Sequence, residues 1–183
     1  SRITARLVDY CLIFVGKIRG GLGLVNVISS MLFGGISGSS VSDTASIGSI
    51  LIPEMKKRGY PEDYAAGLTV ASSTMGMIIP PSIPMVLYAV TAQESVGRLF
   101  LGGVFPGIIV GLLQLCITIW ISNKNSYPRE NNSISVKLIL KMTAKNSYIL
   151  FMPFFVVGSV ILGVATATAV SYTHLRAHET MVD

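Results

Sequence analysis

The chain has 183 residues, 51% hydrophobic and 13% charged, with a formal net charge of +5. Soluble domains hold about 25% charged residues, so this composition, with a mean hydropathy of +0.64, excludes an ordinary soluble domain and points to a membrane-embedded one. The basic excess lies in short loops between apolar runs, which excludes a nucleic-acid surface and makes those charges topology signals. Cys11 and Cys116 are isolated, without the spacing of a disulfide framework or a zinc site, and no cofactor is expected.

Residues 1–19 carry Arg2, Arg6, Lys17 and Arg19 among apolar residues three to four apart. That spacing predicts an amphipathic interfacial helix on the cytoplasmic side. The opening shows neither an initiator Met nor an apolar leader, so the chain is expected to begin within a longer protein.

Residues 20–53 are apolar or small, with Asp43 as the ionisable group, and the loop at 54–63 holds Lys56, Lys57 and Arg58. Both ends of this segment therefore face the cytoplasm. A full crossing needs about 20 residues, so two do not fit comfortably. The expectation is a re-entrant hairpin of two half-helices, roughly 22–35 and 43–53, turning at Gly34 to Ser42.

Residues 64–91 carry no charge and should cross outward, but Pro80, Pro81 and Pro84 cannot share one regular helix. A broken transmembrane segment is expected. Residues 99–121 read as an uninterrupted crossing, with Gly103, Gly107 and Gly111 on one face for close packing. A basic cytoplasmic linker follows at 122–147 and a last crossing at 148–170. Residues 171–183 resemble a translated sequencing adapter and are set aside as a non-native tail. Its His174 and His178 lack the embedded acid and third ligand of a zinc site.

Discontinuous apolar helices leave free amides and carbonyls at membrane depth, the pattern of a secondary transporter. Sodium prefers oxygen, and the candidate ion or substrate site is Ser37, Gly38, Ser39, Ser40, Asp43 and Thr44. Ser37, Ser39 and Asp43 are the first choices for the ion. Ser72, Ser73, Thr74, Pro80, Pro81, Ser82 and Pro84 are expected on the facing side. A lone acid in a membrane segment is costly and usually functional, although Asp43 at an interfacial helix end would serve as a cap. No catalytic residue is expected. Gly35 to Gly38 matches the G-x-S-G of intramembrane serine proteases, but no histidine precedes the tail to act as base. An ion channel is the remaining alternative.

Several linked stretches carry a family resemblance: Gly20-Gly21, Val25 to Val27, Ser30 to Ser39, Ile50 to Tyr60, Ala71 to Thr74 and Ile78 to Val86. In this order and spacing they resemble the large membrane subunit (M, DctM-like) of TRAP transporters, over about Leu7 to Ala169. The resemblance implies an all-α polytopic protein of the bacterial inner membrane with an elevator fold and an incomplete inverted repeat. It implies sodium-driven uptake of a small organic acid, such as a C4-dicarboxylate, delivered by a periplasmic binding protein. A small membrane (Q) subunit would be the second partner. It also implies sodium binding at hairpin tips and helix breaks, here Ser37 to Asp43 and Ser72 to Pro84. Met77 departs from the expected small residue, and Ala169 from the expected acid.

Overall fold

The computed structural model describes Cys11, residues 18–128, Phe155, Gly158 and Ser159. The expected helix at 1–19, most of the linker, the last crossing and the tail otherwise lie outside the described residues. Among the described residues the fold is helical, without strands: α1 Gly21–Ser37, α2 Ser40–Lys57, α3 Glu62–Ser73, a 3₁₀ turn Thr74–Met77, α4 Ile83–Ala92 and α5 Val96–Lys124.

α1 and α2 form a tight antiparallel hairpin whose turn is two residues, Gly38 and Ser39. The expected turn was longer, from Gly34 to Ser42. Gly38 adopts φ +65 and donates its N–H to Gly34 O at 3.0 Å, the left-handed cap that glycine permits. The helices therefore continue almost to the tip, and Gly34 and Gly35 remain helical.

Helical periodicity decides what α2 buries. Asp43, Ile47, Leu51 and Met55, four apart, form its inner stripe, while Val41, Ala45, Ser49 and Pro53 face outward. α1 is buried along most of its length, and α1, α2 and α3 pack against one another around Val25, Phe33, Ile47, Leu51, Met55 and Ala65. The loop between α2 and α3 is shorter than expected. Lys56 and Lys57 extend the last turn of α2, and Glu62 and Asp63 open the first turn of α3, each complementing the helix dipole.

A polar seam crosses the α1–α3 interface. Asn26 Nδ2 donates to Thr69 Oγ1 at 2.7 Å, Ser72 Oγ donates to Asn26 Oδ1 at 3.2 Å, and the Ser30 and Ser72 hydroxyls are 2.9 Å apart. All four residues are fully buried, so these bonds satisfy groups that water does not reach.

After α3 the chain breaks as the prolines require. α3 tightens into the 3₁₀ turn, runs irregularly through Ile78 to Ser82 with a cis Pro80–Pro81 bond, and re-enters helix at Ile83. Ser82 caps α4 by accepting Met85 N–H at 3.4 Å and donates to Met77 O at 2.7 Å.

α5 has 29 residues, longer at both ends than the expected crossing, and is the one described helix with the length and composition of a membrane span. It buries a narrow stripe, Phe100, Gly103, Gly107, Gly111, Thr118 and Ser122. A Cβ on Gly103 would lie 2.8 Å from Ile78 O, and one on Gly107 2.8 Å from Ile79 Cγ1. The glycine stripe thus serves close packing, as expected, and the segment it packs against is the break. Leu101, Phe105, Leu112, Leu113 and Ile117 cover the rest of the helix and are exposed.

Arg19, Lys56, Lys57, Arg58 and Lys124 gather where α1 and α3 begin and α2 and α5 end. Gly20 N–H donates to Pro128 O there, and the Tyr60, Tyr64 and Tyr127 rings cluster with centroids 4.8 to 6.4 Å apart. Burial, then the neighbouring Tyr64, pushes the Tyr60 phenol up to about 12.

Two consequences are testable by melting the full-length protein in detergent. Gly103→Ala should destabilise by about 1–3 kcal/mol, whereas Gly102→Ala, with nothing within 4 Å, should be neutral. Equal melting of the two variants would contradict the packing. Asn26→Leu should cost about 1–2 kcal/mol by stripping partners from Thr69 and Ser72; an unchanged melt would show the seam to be dispensable.

Candidate functional site

The two chain discontinuities meet. Ile83 N–H, at the start of α4, donates to Gly38 O at the hairpin tip at 3.2 Å. A Cβ on Gly38 would lie 2.7 Å from Pro81 O, so the tip touches the break because position 38 has no side chain. The junction therefore gathers the C-termini of α1 and α3 and the N-termini of α2 and α4. Carbonyl and amide ends of half-helices are thereby placed side by side.

Asp43 lies in the first turn of α2 and is fully buried. Its Oδ1 accepts a short hydrogen bond from Ser37 Oγ, across the turn. Its Oδ2 is buried without a hydrogen-bond partner among the described residues. Two glycines enclose that oxygen. A Cβ on Gly76, in the 3₁₀ turn, would stand 2.7 Å from Oδ2, and one on Gly34 3.2 Å from it. Gly34 and Gly76 also touch each other, since a Cβ on Gly34 would meet Gly76 Cα at 2.8 Å. Glycine backbone from the hairpin and the break thus encloses Oδ2, while the Ser37 side chain holds Oδ1.

The hydroxyls around it follow one pattern. Ser73 and Thr74 donate to the carbonyls of Val70 and Ala71 at 2.8 and 2.7 Å, each three residues back, and Thr69 O, 3.1 Å from Ser72 Oγ, is an alternative to Asn26 Oδ1 as acceptor of the Ser72 proton. Thr44 donates to Ser40 O at 2.9 Å. At the end of α3 these bonds meet carbonyls that lose their helical donors, while Thr44 bonds back onto the first turn of α2. A hydroxyl whose proton is committed to a carbonyl keeps its lone pairs for another acceptor role. Across the α2–α3 contact the Thr44 and Ser73 hydroxyls are 2.6 Å apart, where one donates to the other instead of to its own helical carbonyl.

Of the sequence candidates, the structure brings Ser37, Gly38, Ser39, Asp43, Thr44, Ser73, Pro81 and the buried Ser82 to this junction. Ser39 donates its N–H to Ser37 Oγ at 3.3 Å, and Ser40 contributes its carbonyl. Pro80 is buried in the irregular segment. Three candidates do not point there. The Ser72 side chain belongs to the Asn26 seam, Thr74 bonds back to Ala71, and Pro84 is exposed on the first turn of α4. Spacing along the chain does not tell adjacent helical residues apart, whereas a helix turns about 100° per residue and sends Ser72 and Ser73 to different neighbours.

Gly34, Gly76 and Asn26 were not among the candidates. Asn26 was detectable as an amide in a largely apolar run, and Gly76 as a glycine three residues beyond a serine-rich helix end. Their partners are distant in sequence, so neither role could be assigned. Among the described residues no histidine stands near Ser37, and no group of histidine, cysteine or acidic residues is arranged for a transition metal. The donors present are hydroxyls, carbonyls and one carboxylate, a set suited to a small hard cation.

Comparison of the sequence with known proteins identifies a family. The sequence model of the family described as "Tripartite ATP-independent periplasmic transporter, DctM component" matches residues 1–176. The chain is 37% identical over 166 residues to a C4-dicarboxylate TRAP transporter large permease protein of Vibrio cholerae, covering 91% of this chain and 36% of that protein. It is 34% identical to an isethionate TRAP transporter permease protein of Oleidesulfovibrio alaskensis, over 91% of the chain and 26% of the relative. It is also 34% identical to a sialic acid TRAP transporter large permease protein of Vibrio cholerae, over 91% and 39%. The chain thus spans between about a quarter and two fifths of the length of these curated relatives. By the near-complete family match, the chain belongs to the DctM component family of tripartite ATP-independent periplasmic (TRAP) transporters.

Proposed function

We propose that the chain is the hairpin and broken-helix part of a permease subunit that couples sodium entry to uptake of a small organic acid across the bacterial inner membrane. The observation that carries this reading is the Asp43 carboxylate, buried between two chain breaks with one oxygen unpartnered among the described residues. Such a group inside an apolar bundle is costly unless a cation or donor completes it. Asp43 Oδ2, Ser37 Oγ, the Ser39 carbonyl and the Thr44 and Ser73 hydroxyls supply the hard oxygens that sodium takes. The half-helix N-termini of α2 and α4 would face the carboxylate of the cargo.

Depth supports the same reading. α5 serves as a ruler about 43 Å long, with the basic residues at its Lys124 end facing the cytoplasm. Gly107, against Ile79 of the break, lies about 25 Å along it from Lys124. The tip then sits inside a hydrocarbon core about 30 Å thick. The hairpin is therefore re-entrant from the cytoplasmic side, and its packing onto α3 and α5 suits movement of these helices as one elevator body, half of an inverted repeat.

Relatives named for C4-dicarboxylate, isethionate and sialic acid all match this stretch. The cargo is accordingly proposed as a small organic acid, with C4-dicarboxylates the first class to assay. A periplasmic binding protein would deliver it, and a small membrane (Q) subunit would pair with this one. The process is movement without covalent chemistry.

Thermal melting of the full-length permease in sodium against potassium, at equal ionic strength, tests the ion site. A cation binding only the folded state at a hundred times its Kd stabilises by about 2.7 kcal/mol. A sodium-specific rise is expected in the wild type and should disappear in Asp43→Asn and Ser37→Ala; no rise in the wild type would argue against sodium coupling. Gly76→Ala should abolish the rise with the carboxylate intact, because its Cβ intrudes 2.7 Å from Oδ2. Gly67→Ala, with open space around it, should keep the rise. Retention in Gly76→Ala would remove the glycine clasp from the site.

A further inference from the structure

α5 runs along the break like a splint. Down its buried stripe, Gly103 faces the Ile78 carbonyl and Met85, Gly107 faces Ile79, and Gly111 faces Met31 and Met75. One turn further stands Gln114, an amide in the apolar run Leu99 to Ile121. Its Nε2 donates to Ala71 O at 2.9 Å, and its Oε1 is buried without a partner among the described residues.

The acceptor explains the residue. Ala71 O belongs to the last turn of α3, where the backbone ladder changes from α to 3₁₀ and carbonyls lose their regular donors. Thr74 Oγ1 meets one lone pair of that carbonyl from within the break, and Gln114 meets it from α5. An apolar side chain would fill the stripe without burying an amide. What the amide adds is direction, because the bond forms only when the end of α3 stands at one height and rotation against α5. Ser73, two residues beyond Ala71, is the residue whose hydroxyl meets Thr44 beside Asp43.

We infer that Gln114 is a positioning residue for the cation site: it holds the end of α3 against α5 and so sets where the Ser73 hydroxyl stands opposite α2. The inference rests on the sodium reading proposed for the junction. It assigns Gln114 no contact with the ion or the cargo.

The test uses the full-length permease, with sodium titrated against potassium at constant ionic strength and thermal stability as the readout. Gln114→Met keeps the length and removes the donor, and Gln114→Leu serves if that variant does not fold. Thr118→Val, on the same α5 stripe, controls for loss of a buried polar group that is not tied to the break. Losing one oriented hydrogen bond should raise the half-saturating sodium concentration about three- to tenfold in the Gln114 variants. The Thr118 variant should keep the wild-type value. Amide hydrogen exchange supplies the second measure: it should quicken at Thr74 to Ile79 in Gln114→Met and stay unchanged in the α1–α2 hairpin. A wild-type sodium response kept unshifted in the Gln114 variants overturns this inference alone, as does unchanged exchange at the break. Absence of a sodium response in the wild type overturns the sodium reading and the cation role of Gln114 together.

Discussion

A carboxylate buried among helices must be given partners, and the way Asp43 is held governs the rest of this structure. Its inner position follows from α2 periodicity, which stacks it above Ile47, Leu51 and Met55 on the buried stripe. Rotating it outward would expose that stripe as well. Ser37 reaches across the turn to one oxygen, while Gly34 and Gly76 let two backbones close around the other, which has no hydrogen-bond partner among the described residues. Any side chain at either glycine would separate the hairpin from the break.

From that contact the remaining architecture follows. A hairpin tip can seat on a helix break only if both are narrow, and Gly38 against Pro81 and Ile83 satisfies this at the other side of the junction. A broken helix needs external support where its own hydrogen bonds lapse. The hydroxyls of Ser72, Ser73 and Thr74 supply it from within, and the glycine stripe of α5 lets a long helix lie close along the gap. Most of the polar groups gathered here are paired by backbone and hydroxyls in place of water, with Asp43 Oδ2 and Gln114 Oε1 unpartnered among the described residues. The Asn26 seam extends the same solution toward the basic end.

The sequence and the fold divide the explanation by range. Hydropathy, charge in the loops and the three prolines made the helices, the break and the long apolar helix legible, because each is a local property of a short window. The linked motifs made the family legible, and the family match over residues 1–176 agrees. Helix ends were less accurate. Capping by Gly38, and by the acidic and basic residues around 54–63, carried the helices further than hydropathy alone indicated.

Serine and threonine enrichment located the candidate region but not its members. Ser72 and Ser73 are neighbours in the chain, yet one joins Asn26 and the other joins Thr44. Composition and motif order by themselves determined that this is a helical, membrane-embedded protein of one family with two interrupted segments. Tertiary structure alone decided that the interruptions meet, that Gly34 and Gly76 enclose Asp43, and that Gln114 reaches Ala71 from 43 positions away. The reason is physical: a helix or a break is set by neighbouring residues, whereas a contact between backbones depends on the absence of side chains at two distant positions, which no single window of sequence displays.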